Sequence, residues 1–274
     1  MNKIYKSFKN TKYSSIKWNN YFEIYQNCLK KFINKKITLV EIGIGNGGSL
    51  FMWRKFLGKK AKIIGIEMNP DAKKFKKNGF EIFIGDQSSP LFWKNFYDKV
   101  GKIDILIDDG GHTNLQQITT LMESIDNMNY GGAVLIEDTH TSYMNYKGFK
   151  NPSKNSFINF STNLIENLHR RNPITKKKMN KFSKKIYSIE YFDSIVLINI
   201  IKKKIGYSKN LHNNNQLNSQ YIDYRFKRLN LQKKNDKKNS ILNFLISKVS
   251  KKGFLQSIFE NYLIKKYRQK TKSE

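Results

Sequence analysis

The sequence predicts an α/β protein in which helices cover both faces of a mainly parallel sheet. Between residues 37 and 201, short runs rich in β-branched residues alternate with helical stretches. These runs are apolar along most of their length, which is typical of strands buried on both faces. Such a sheet binds its ligands at the carboxyl ends of its strands. We therefore expect a functional site at that edge.

Five strands are predicted for the parallel part of the sheet. They are ITLVEIG (37–43), AKIIGIE (61–67), FEIFIGD (80–86), IDILIDD (103–109) and GAVLIED (132–138). The runs KIYSIEYF and SIVLINII meet at Asp193 and Ser194, which predicts two further strands joined by a tight turn. The sheet is therefore expected to carry an antiparallel strand at its C-terminal end.

Helices are predicted between these strands. They are SLFMWRKFL (49–57), NPDAKKFKKNG (69–79), SPLFWKNFYDKVG (89–101) and NLQQITTLMESIDNM (114–128). The second begins with a proline and ends at a glycine, as helices in folded proteins commonly do.

The distribution of charge divides the chain. It has 51 Lys+Arg and 21 Asp+Glu, a formal net charge of +30, and from residue 202 onward the counts are 19 and 4. We predict an N-terminal helical segment over residues 1–36, a ligand-binding domain over 37–201 and a basic, Lys/Asn-rich, partly helical extension over 202–274. A charge of this size attracts nucleic acid, phosphorylated substrates or anionic lipid. Compositional drift toward Lys, Asn and Ile is the alternative explanation.

The extension contains apolar residues at helical spacing between residues 239 and 270. One interpretation is packing in the core or in a homo-oligomer interface. The other is a basic amphipathic segment that binds an anionic membrane surface, or partners that assemble a polysaccharide there.

Several features bear on the compartment. The single cysteine, Cys28, excludes an internal disulfide and is typical of a reducing compartment. No run approaches 18 apolar residues, and the basic N-terminus lacks the apolar run of a signal peptide. We expect a cytoplasmic protein, with peripheral binding at the inner face of the membrane if the extension is a membrane-binding segment.

A glycine-rich loop, GIGNGG (43–48), lies between the first strand and the first of these helices. Its glycines, with Gly43, Gly45 and Gly47 as predicted ligand contacts, allow a tight turn close to a ligand. Glu67 ends the next strand, where a carboxylate can bind both hydroxyls of a ribose. NAD would fit equally well up to this point.

Further acids favour a cationic ligand over a pyrophosphate. Glu41 lies just before the loop, Asp86 ends the third strand near an expected adenine, and Asp108 is expected to face the cofactor side. With these acids, E-x-G-x-G-x-G resembles the first motif of class I methyltransferases, which bind S-adenosylmethionine.

Acids also follow the fourth and fifth strands. Asp109 begins the loop in IDDGGHTN, and Glu137 and Asp138 follow 28 and 29 residues later. Neighbouring strands lie about 4.8 Å apart, so the three carboxylates can converge. Because like charges repel and oxygen ligands suit hard cations, the set predicts Mg²⁺ or Mn²⁺.

Histidines follow both acidic steps. Histidine can take a proton near neutral pH, which makes His112, three residues after Asp109, a candidate general base. His140 and Tyr143 follow the Glu-Asp pair and are candidates for substrate contact.

Six segments together resemble the metal-dependent sugar O-methyltransferases of macrolide biosynthesis, with their relatives called cephalosporin hydroxylases. The segments are LVEIGIGNGGSLFMW, IIGIEMNP, FIGDQSS, IDILIDDGGH, GGAVLIEDTHTSY and IEYFDSIVLI. KYSSIKWNNYFEIYQNCL is similar to the helix that precedes this domain in many members, so the likeness spans residues 11 to 201. Gly111 stands where serine is common in the family.

This resemblance implies a Rossmann-like class I methyltransferase fold and transfer of a methyl group from S-adenosylmethionine to a sugar hydroxyl. The acceptor would be a nucleotide sugar, a glycoside or a polysaccharide. In the family, the D-x-x-H aspartate and the Glu-Asp pair hold Mg²⁺ and the histidine is the general base, roles that fall here on Asp109, Glu137, Asp138 and His112.

Three alternatives remain from the sequence. The basic charge favours an RNA methyltransferase, although such enzymes do not need a metal-binding acid cluster. His112, His140 and Asp109 could hold non-haem iron for a hydroxylase-like reaction. A binding module that acts through its basic extension is the third.

Overall fold

The fold is built on a seven-stranded sheet, seen in a computed structural model that describes residues 2–145, 155–169 and 181–201. The strands are β1 (Thr38–Ile42), β2 (Lys62–Glu67), β3 (Glu81–Ile84), β4 (Ile103–Asp108), β5 (Met128–Ile136), β6 (Ile186–Phe192) and β7 (Ile195–Ile200). Their order across the sheet is β3-β2-β1-β4-β5-β7-β6. The first five strands are parallel, and β7 pairs antiparallel with both β5 and β6. All seven predicted strands and the antiparallel C-terminal strand are confirmed.

Helices precede and connect the strands. The α-helices are α1 (Lys3–Lys9), α2 (Tyr21–Leu29), α3 (Gly48–Leu57), α4 (Pro90–Val100), α5 (Asn114–Ser124), α6 (Phe157–Asn163), α7 (Ile165–His169) and α8 (Lys181–Lys185). Short 3₁₀ helices cover Lys30–Phe32, Pro70–Asn78, Ile125–Asn127 and Thr139–Tyr143. The four helices predicted between the strands are confirmed, and the one that begins with proline is of the 3₁₀ type.

Two apolar clusters lie on opposite faces of the sheet. The N-terminal helices and α3 bury Tyr25, Leu29 and Trp53 on one face, and α4, α5 and α6 bury residues such as Trp93 and Leu121 on the other. Alternate residues of each strand enter the two clusters, so neighbours in sequence at a strand end point to opposite faces.

Residues before the first strand are part of the first cluster. The start of α1 is capped by Asn2, whose side chain accepts hydrogen bonds from the backbone of Ile4 and Tyr5. Along α2, the buried side chains of Tyr21, Tyr25 and Leu29 lie on the sheet. The predicted boundaries at residues 36 and 201 stay predictions, and the basic extension over 202–274 lies outside the described residues.

Register places the strand ends side by side. Asp108 of β4 pairs with Ile42 of β1 and with Ile136 of β5. The backbone nitrogen of Asp109 donates to Ile42, and that of Glu137 donates to Asp108. Within the described residues, no helix is both long enough and apolar enough to cross a membrane.

Candidate active site

Three acids from three neighbouring strands lie on one face of the sheet. Glu41, Asp109 and Glu137 point toward the N-terminal helices, and Glu41 and Glu137 are fully buried. Asp108 points to the other face, where its carboxylate accepts from Nε2 of Gln87 at 2.9 and 3.0 Å. The alternation expected for a strand therefore separates Asp108 from Asp109.

A buried lysine holds this acidic face together. The ammonium of Lys17 lies 2.7 Å from Oδ2 of Asp109, 2.9 Å from Oε2 of Glu137 and 3.7 Å from Oε1 of Glu41, and the side chain is 1% exposed. Oε1 of Glu137 accepts from the hydroxyl of Tyr25 at 2.6 Å. Each carboxylate oxygen carries two lone pairs, so these contacts leave Glu137 able to bind a further cation.

Burial and the attraction between Lys17 and the acids have opposite effects on the pKa values of this cluster. Burial alone would lower the pKa of Lys17, but attraction to Asp109 and Glu137 raises it well above its usual value. Burial raises the pKa of Glu137 to about 8 against the opposing effect of Lys17. Burial also raises the pKa of Glu41, partly offset by Lys17 and by the hydroxyl of Ser49. Lys17 therefore opposes the protonation that burial favours in these acids.

Asp138 is held by aromatic residues of the N-terminal segment. Its Oδ1 accepts from the hydroxyl of Tyr21 at 2.7 Å and from the indole of Trp18 at 3.0 Å. Three of the four non-glycine residues with positive φ among those described, His112, Asp138 and Ser194, lie around this point. Such backbone is uncommon and accumulates at functional sites.

His112 completes a group that could hold a metal ion. One ligand atom from each of Asp109, His112 and Asp138 lies within 4.8 Å of the others. Nε2 of His112 is 3.3 Å from Oδ2 of Asp138 and 3.9 Å from Oδ1 of Asp109. Nδ1 is buried and has no hydrogen-bond partner among the described residues, so the polar contacts of the ring are at Nε2. Carboxylate oxygens predominate in this set, which fits a hard divalent cation.

The two substrate-contact candidates lie farther out. Nδ1 of His140 contacts the hydroxyl of Ser194 and is 3.9 Å from Asp138. Tyr143, at the end of the 3₁₀ helix Thr139–Tyr143, is 63% exposed. His140 therefore borders the acidic cluster, and Tyr143 lies on the surface beyond it.

A first cavity of about 320 Å³ lies over the glycine loop. Its lining includes Gly43, Gly45, Glu67, Asp109 and Gly110. Oε2 of Glu67 accepts from the backbone of Ile44 and Gly45 at 3.1 and 3.0 Å. The predicted contacts Gly43, Gly45 and Glu67 therefore lie around one cavity.

Other predicted cofactor contacts lie around that cavity rather than in its lining. Gly47, the residue before α3, has φ 79°, and a Cβ there would lie 2.4 Å from the ring of Phe75. Asp86 accepts from the backbone of Ser88, and Glu41 faces Lys17 instead. Asp108 contacts the lining through Gln87, whose Oε1 accepts from the backbone of Gly111, and its own Oδ1 accepts from the backbone of Gly110 at 3.2 Å.

A second cavity of about 360 Å³ lies between the N-terminal segment and the acids. Its lining residues come from both parts: Ile16, Lys17, Trp18, Tyr21, Asp109, Glu137 and Asp138. Asp109 lines both cavities. The two cavities therefore have one lining residue in common.

Residues of the N-terminal segment were not predicted to belong to the site. Tyr21 and Tyr25 are spaced four apart on α2, which places their hydroxyls on one stripe of the helix, and that spacing is the signal that could have indicated a shared role. Lys17 lies in the irregular segment before α2, where no such periodicity indicates its role.

Comparison with known proteins supports the resemblance. No protein-family model matches the chain. It is 29% identical over 168 residues to 8-demethyl-8-alpha-L-rhamnosyl tetracenomycin-C 2'-O-methyltransferase of Streptomyces olivaceus, covering 58% of this chain and 44% of the relative. It is 27% identical over 176 residues to demethylmacrocin O-methyltransferase of Streptomyces fradiae, covering 61% and 43%. The chain thus spans less than half the length of these two curated relatives.

Among solved structures, the chain is similar to the MycE methyltransferase of the mycinamycin biosynthetic pathway in complex with Mg and SAH. The TM-score is 0.63 at 20% identity, covering 73% of this chain and 54% of that one. This likeness confirms the Rossmann-like class I methyltransferase fold. The chain therefore has the fold that was predicted and is similar in sequence to proteins named as O-methyltransferases.

Proposed function

We propose that the chain is an S-adenosylmethionine-dependent O-methyltransferase that acts on a sugar hydroxyl with the help of a divalent metal ion. The observation that carries this proposal is the pair of cavities that share Asp109. One is lined by the glycine loop and Glu67, and the other by three carboxylates. A methyl donor and a hydroxyl acceptor would then meet at that aspartate. The relatives whose names specify a sugar O-methyltransferase support the reaction class.

The glycine-loop cavity suits the methyl donor. Glu67 already accepts from four backbone nitrogens, those of Ile44, Gly45, Met68 and Asn69. This network holds its carboxylate at the mouth of the loop, where ribose hydroxyls would bind by replacing one or more of these backbone donors. S-adenosylmethionine supplies an activated methyl group, so this chain's residues need only align the acceptor with it.

The acids suit the metal ion and the acceptor. Asp109 and Asp138 would bind the ion, with Glu137 as the third carboxylate through its remaining lone pairs. Bound Mg²⁺ or Mn²⁺ would lower the pKa of the acceptor hydroxyl and fix its orientation. His112 would take the proton at Nε2, the ring nitrogen that faces Asp109 and Asp138.

The alternatives have less support. The second cavity, which we call the acceptor cavity, is lined by three carboxylates. These repel the phosphate backbone of an RNA substrate. A two-histidine iron site would need His140, but the group within reach of one ion contains His112 and two aspartates. We further propose that the acceptor is a nucleotide sugar, a glycoside or a surface polysaccharide, and that the protein works in the cytoplasm or at the inner face of the membrane.

Methyl transfer from labelled S-adenosylmethionine tests the proposal. Nucleotide sugars, glycosides, polysaccharides and RNA serve as acceptors, each with EDTA and with added Mg²⁺. We expect transfer to a sugar, loss of transfer in EDTA and recovery with Mg²⁺. Transfer to RNA alone, or full transfer in chelator, would contradict the proposal.

Three variants separate the roles. Glu67→Ala should weaken cofactor binding by about 1–3 kcal/mol in calorimetry, since it removes polar partners. Asp138→Asn should abolish most turnover and weaken Mn²⁺ binding, while the affinity for the cofactor is retained. Asp98→Asn, at an exposed position of α4, is the control and should match wild type. His112→Ala should lower the rate by about 10²–10⁴ while Mn²⁺ still binds, if the ring is the base. Loss of Mn²⁺ binding in that variant would make His112 a ligand instead.

A further inference from the structure

One wall of the acceptor cavity is an exposed indole. Trp18 is 56% exposed and lines the cavity beside Lys17, whereas Trp53 and Trp93 are fully buried. The chain has three tryptophans, so Trp18 is its one solvent-accessible indole. Large apolar side chains that border a cavity with a few placed polar groups are typical of ligand sites.

The indole is held in a fixed position. Its nitrogen donates to Oδ1 of Asp138 at 3.0 Å, and its ring stands edge-on to that of His140, with centroids 6.0 Å apart and an interplanar angle of 87°. Ile16, at 94% exposure, borders the same cavity. The aromatic side chain of Trp18 therefore borders the same cavity as the three carboxylates.

This combination matches the chemistry of a neutral pyranose. Such a ring has a face of C–H groups and an edge of hydroxyls, so contact with an indole face can direct hydroxyls toward carboxylates and a bound cation. A phosphate-bearing face would instead meet the charges of Asp109, Glu137 and Asp138 beside Lys17 and the bound cation, so these acids favour an uncharged ring over a phosphate.

We propose that Trp18 is the acceptor-binding platform and that it selects a pyranose by stacking on its C–H face. The inference rests on the proposed function, because it names the part of the acceptor that the second cavity recognises. The N-terminal segment is then part of the site: Lys17 orients the acids and Trp18 binds the sugar ring.

Fluorescence of the full chain tests binding without turnover. Methyl α-L-rhamnopyranoside is the probe, and glycerol at equal concentration is the control that has hydroxyls but no ring face. We expect a saturable change in indole emission with the glycoside alone, and its loss in Trp18→Phe, whose remaining tryptophans are buried. An unchanged wild-type emission at glycoside concentrations that support methyl transfer would overturn the proposal.

Kinetic variants separate stacking from the hydrogen bond to Asp138. Trp18→Phe keeps a ring but loses the N–H, whereas Trp18→Ala loses both. Stacking predicts an acceptor KM raised about 3- to 10-fold in Trp18→Ala and changed less than about twofold in Trp18→Phe, with cofactor KM constant in both. Tyr187→Ala, which removes an aromatic residue of similar exposure on β6, serves as the control and should match wild type.

Two outcomes would count against the platform. If Trp18→Phe behaves like Trp18→Ala, the hydrogen bond to Asp138 rather than the ring is what matters. If both variants keep the wild-type acceptor KM, Trp18 does not bind the acceptor although the methyltransferase proposal stands. A third outcome separates the two proposals. If the wild-type protein methylates no sugar but its indole emission still changes saturably with the glycoside, the methyltransferase proposal is contradicted and the proposal that Trp18 binds a sugar ring stands.

Discussion

At the scale of single residues, the charge of Lys17 decides the state of the acidic cluster. Its side chain is 1% exposed, and its ammonium contacts Asp109 and Glu137 at 2.7 and 2.9 Å. Buried charges of this kind stabilise a fold only as a complete set, because removal of one partner leaves the others unpaired in a medium of low polarity. The acids can thus remain close together because a lysine from the distant N-terminal segment lies among them.

Replacement of Lys17 by methionine removes the charge and shortens the unbranched side chain by one atom. We expect Lys17→Met to lower the free energy of unfolding by about 3–5 kcal/mol, measured in urea with EDTA present. Lys12→Met, at an exposed site on the same segment, should change it by less than about 0.5 kcal/mol. Saturating Mn²⁺ should raise the melting temperature of Lys17→Met more than that of wild type. Equal effects of Mn²⁺ would show that the ion and Lys17 do not share carboxylates.

Cys28 offers a chemical test of how firmly α2 is packed. Burial, with Glu190 adding to it and Lys31 opposing it, raises the pKa of this thiol to about 11. Because the thiolate is the reactive form, alkylation near pH 8 should be about a hundredfold slower than in the unfolded chain. The rate should keep rising until about pH 11. A plateau near pH 9, or a rate equal to that in urea, would mean that α2 does not bury the thiol.

At the scale of elements, two loops approach each other closely at the site. Gly43 directly follows β1 with φ 78°, and a Cβ at this position would lie 2.0 Å from the carbonyl oxygen of Asp109. The glycine therefore serves two purposes: it allows the turn, and it lets the loop after β4 approach. The position of Asp109 thus depends on the absence of a side chain in the loop after β1.

A matched pair of glycine variants separates these purposes. Gly79 has φ 80°, but no atom lies within 4 Å of a Cβ there, so Gly79→Ala should cost only about 1–2 kcal/mol of backbone strain. Gly43→Ala should cost about 1–3 kcal/mol more, because the backbone at Asp109 must move. Thermal unfolding measures both, and Mn²⁺ binding should weaken only in Gly43→Ala. Equal costs would argue against the close approach.

The strands and their acidic ends were predictable because they depend on local pattern. Buried parallel strands are apolar along their length, and Asp109 and Glu137 follow two of them directly. The partners of these acids were not predictable in the same way. Lys17 is 92 residues from Asp109 and 120 from Glu137 along the chain. No periodicity in the sequence indicates that its side chain contacts these two acids. The likeness of residues 11 to 201 to one family covered Lys17 without indicating its role.

At the scale of the whole molecule, the basic charge and the acidic site are separate features. The formal net charge is +30, yet the acceptor cavity is lined by three carboxylates and one lysine. A long-range field of this sign raises the local concentration of anions around the protein, while short-range contacts in the cavity select what binds there. The net charge of the whole chain therefore does not describe the charge inside this cavity.

Removal of the basic extension tests this separation. A chain that ends at Asn230 should still bind S-adenosylmethionine, because both cavities are formed by residues up to 138. It should lose co-sedimentation with anionic liposomes, since each basic residue near such a surface contributes about 1 kcal/mol. Neutral liposomes are the control and should bind neither chain. If the full chain does not bind anionic liposomes at physiological salt, the membrane proposal fails. If the truncated chain is insoluble, the extension belongs to the core or to an interface.

The aspartate that lines both cavities has a pharmacological consequence. A bisubstrate compound, in which an adenosyl group is joined to a glycoside by a short link, could occupy both cavities at once. The second half would then bind at a high effective concentration, so the compound should bind far more tightly than either half alone. Such an inhibitor would compete with both the methyl donor and the acceptor in steady-state kinetics. The common border of the two cavities, at which the proposed reaction would take place, could thus also be spanned by one inhibitor molecule.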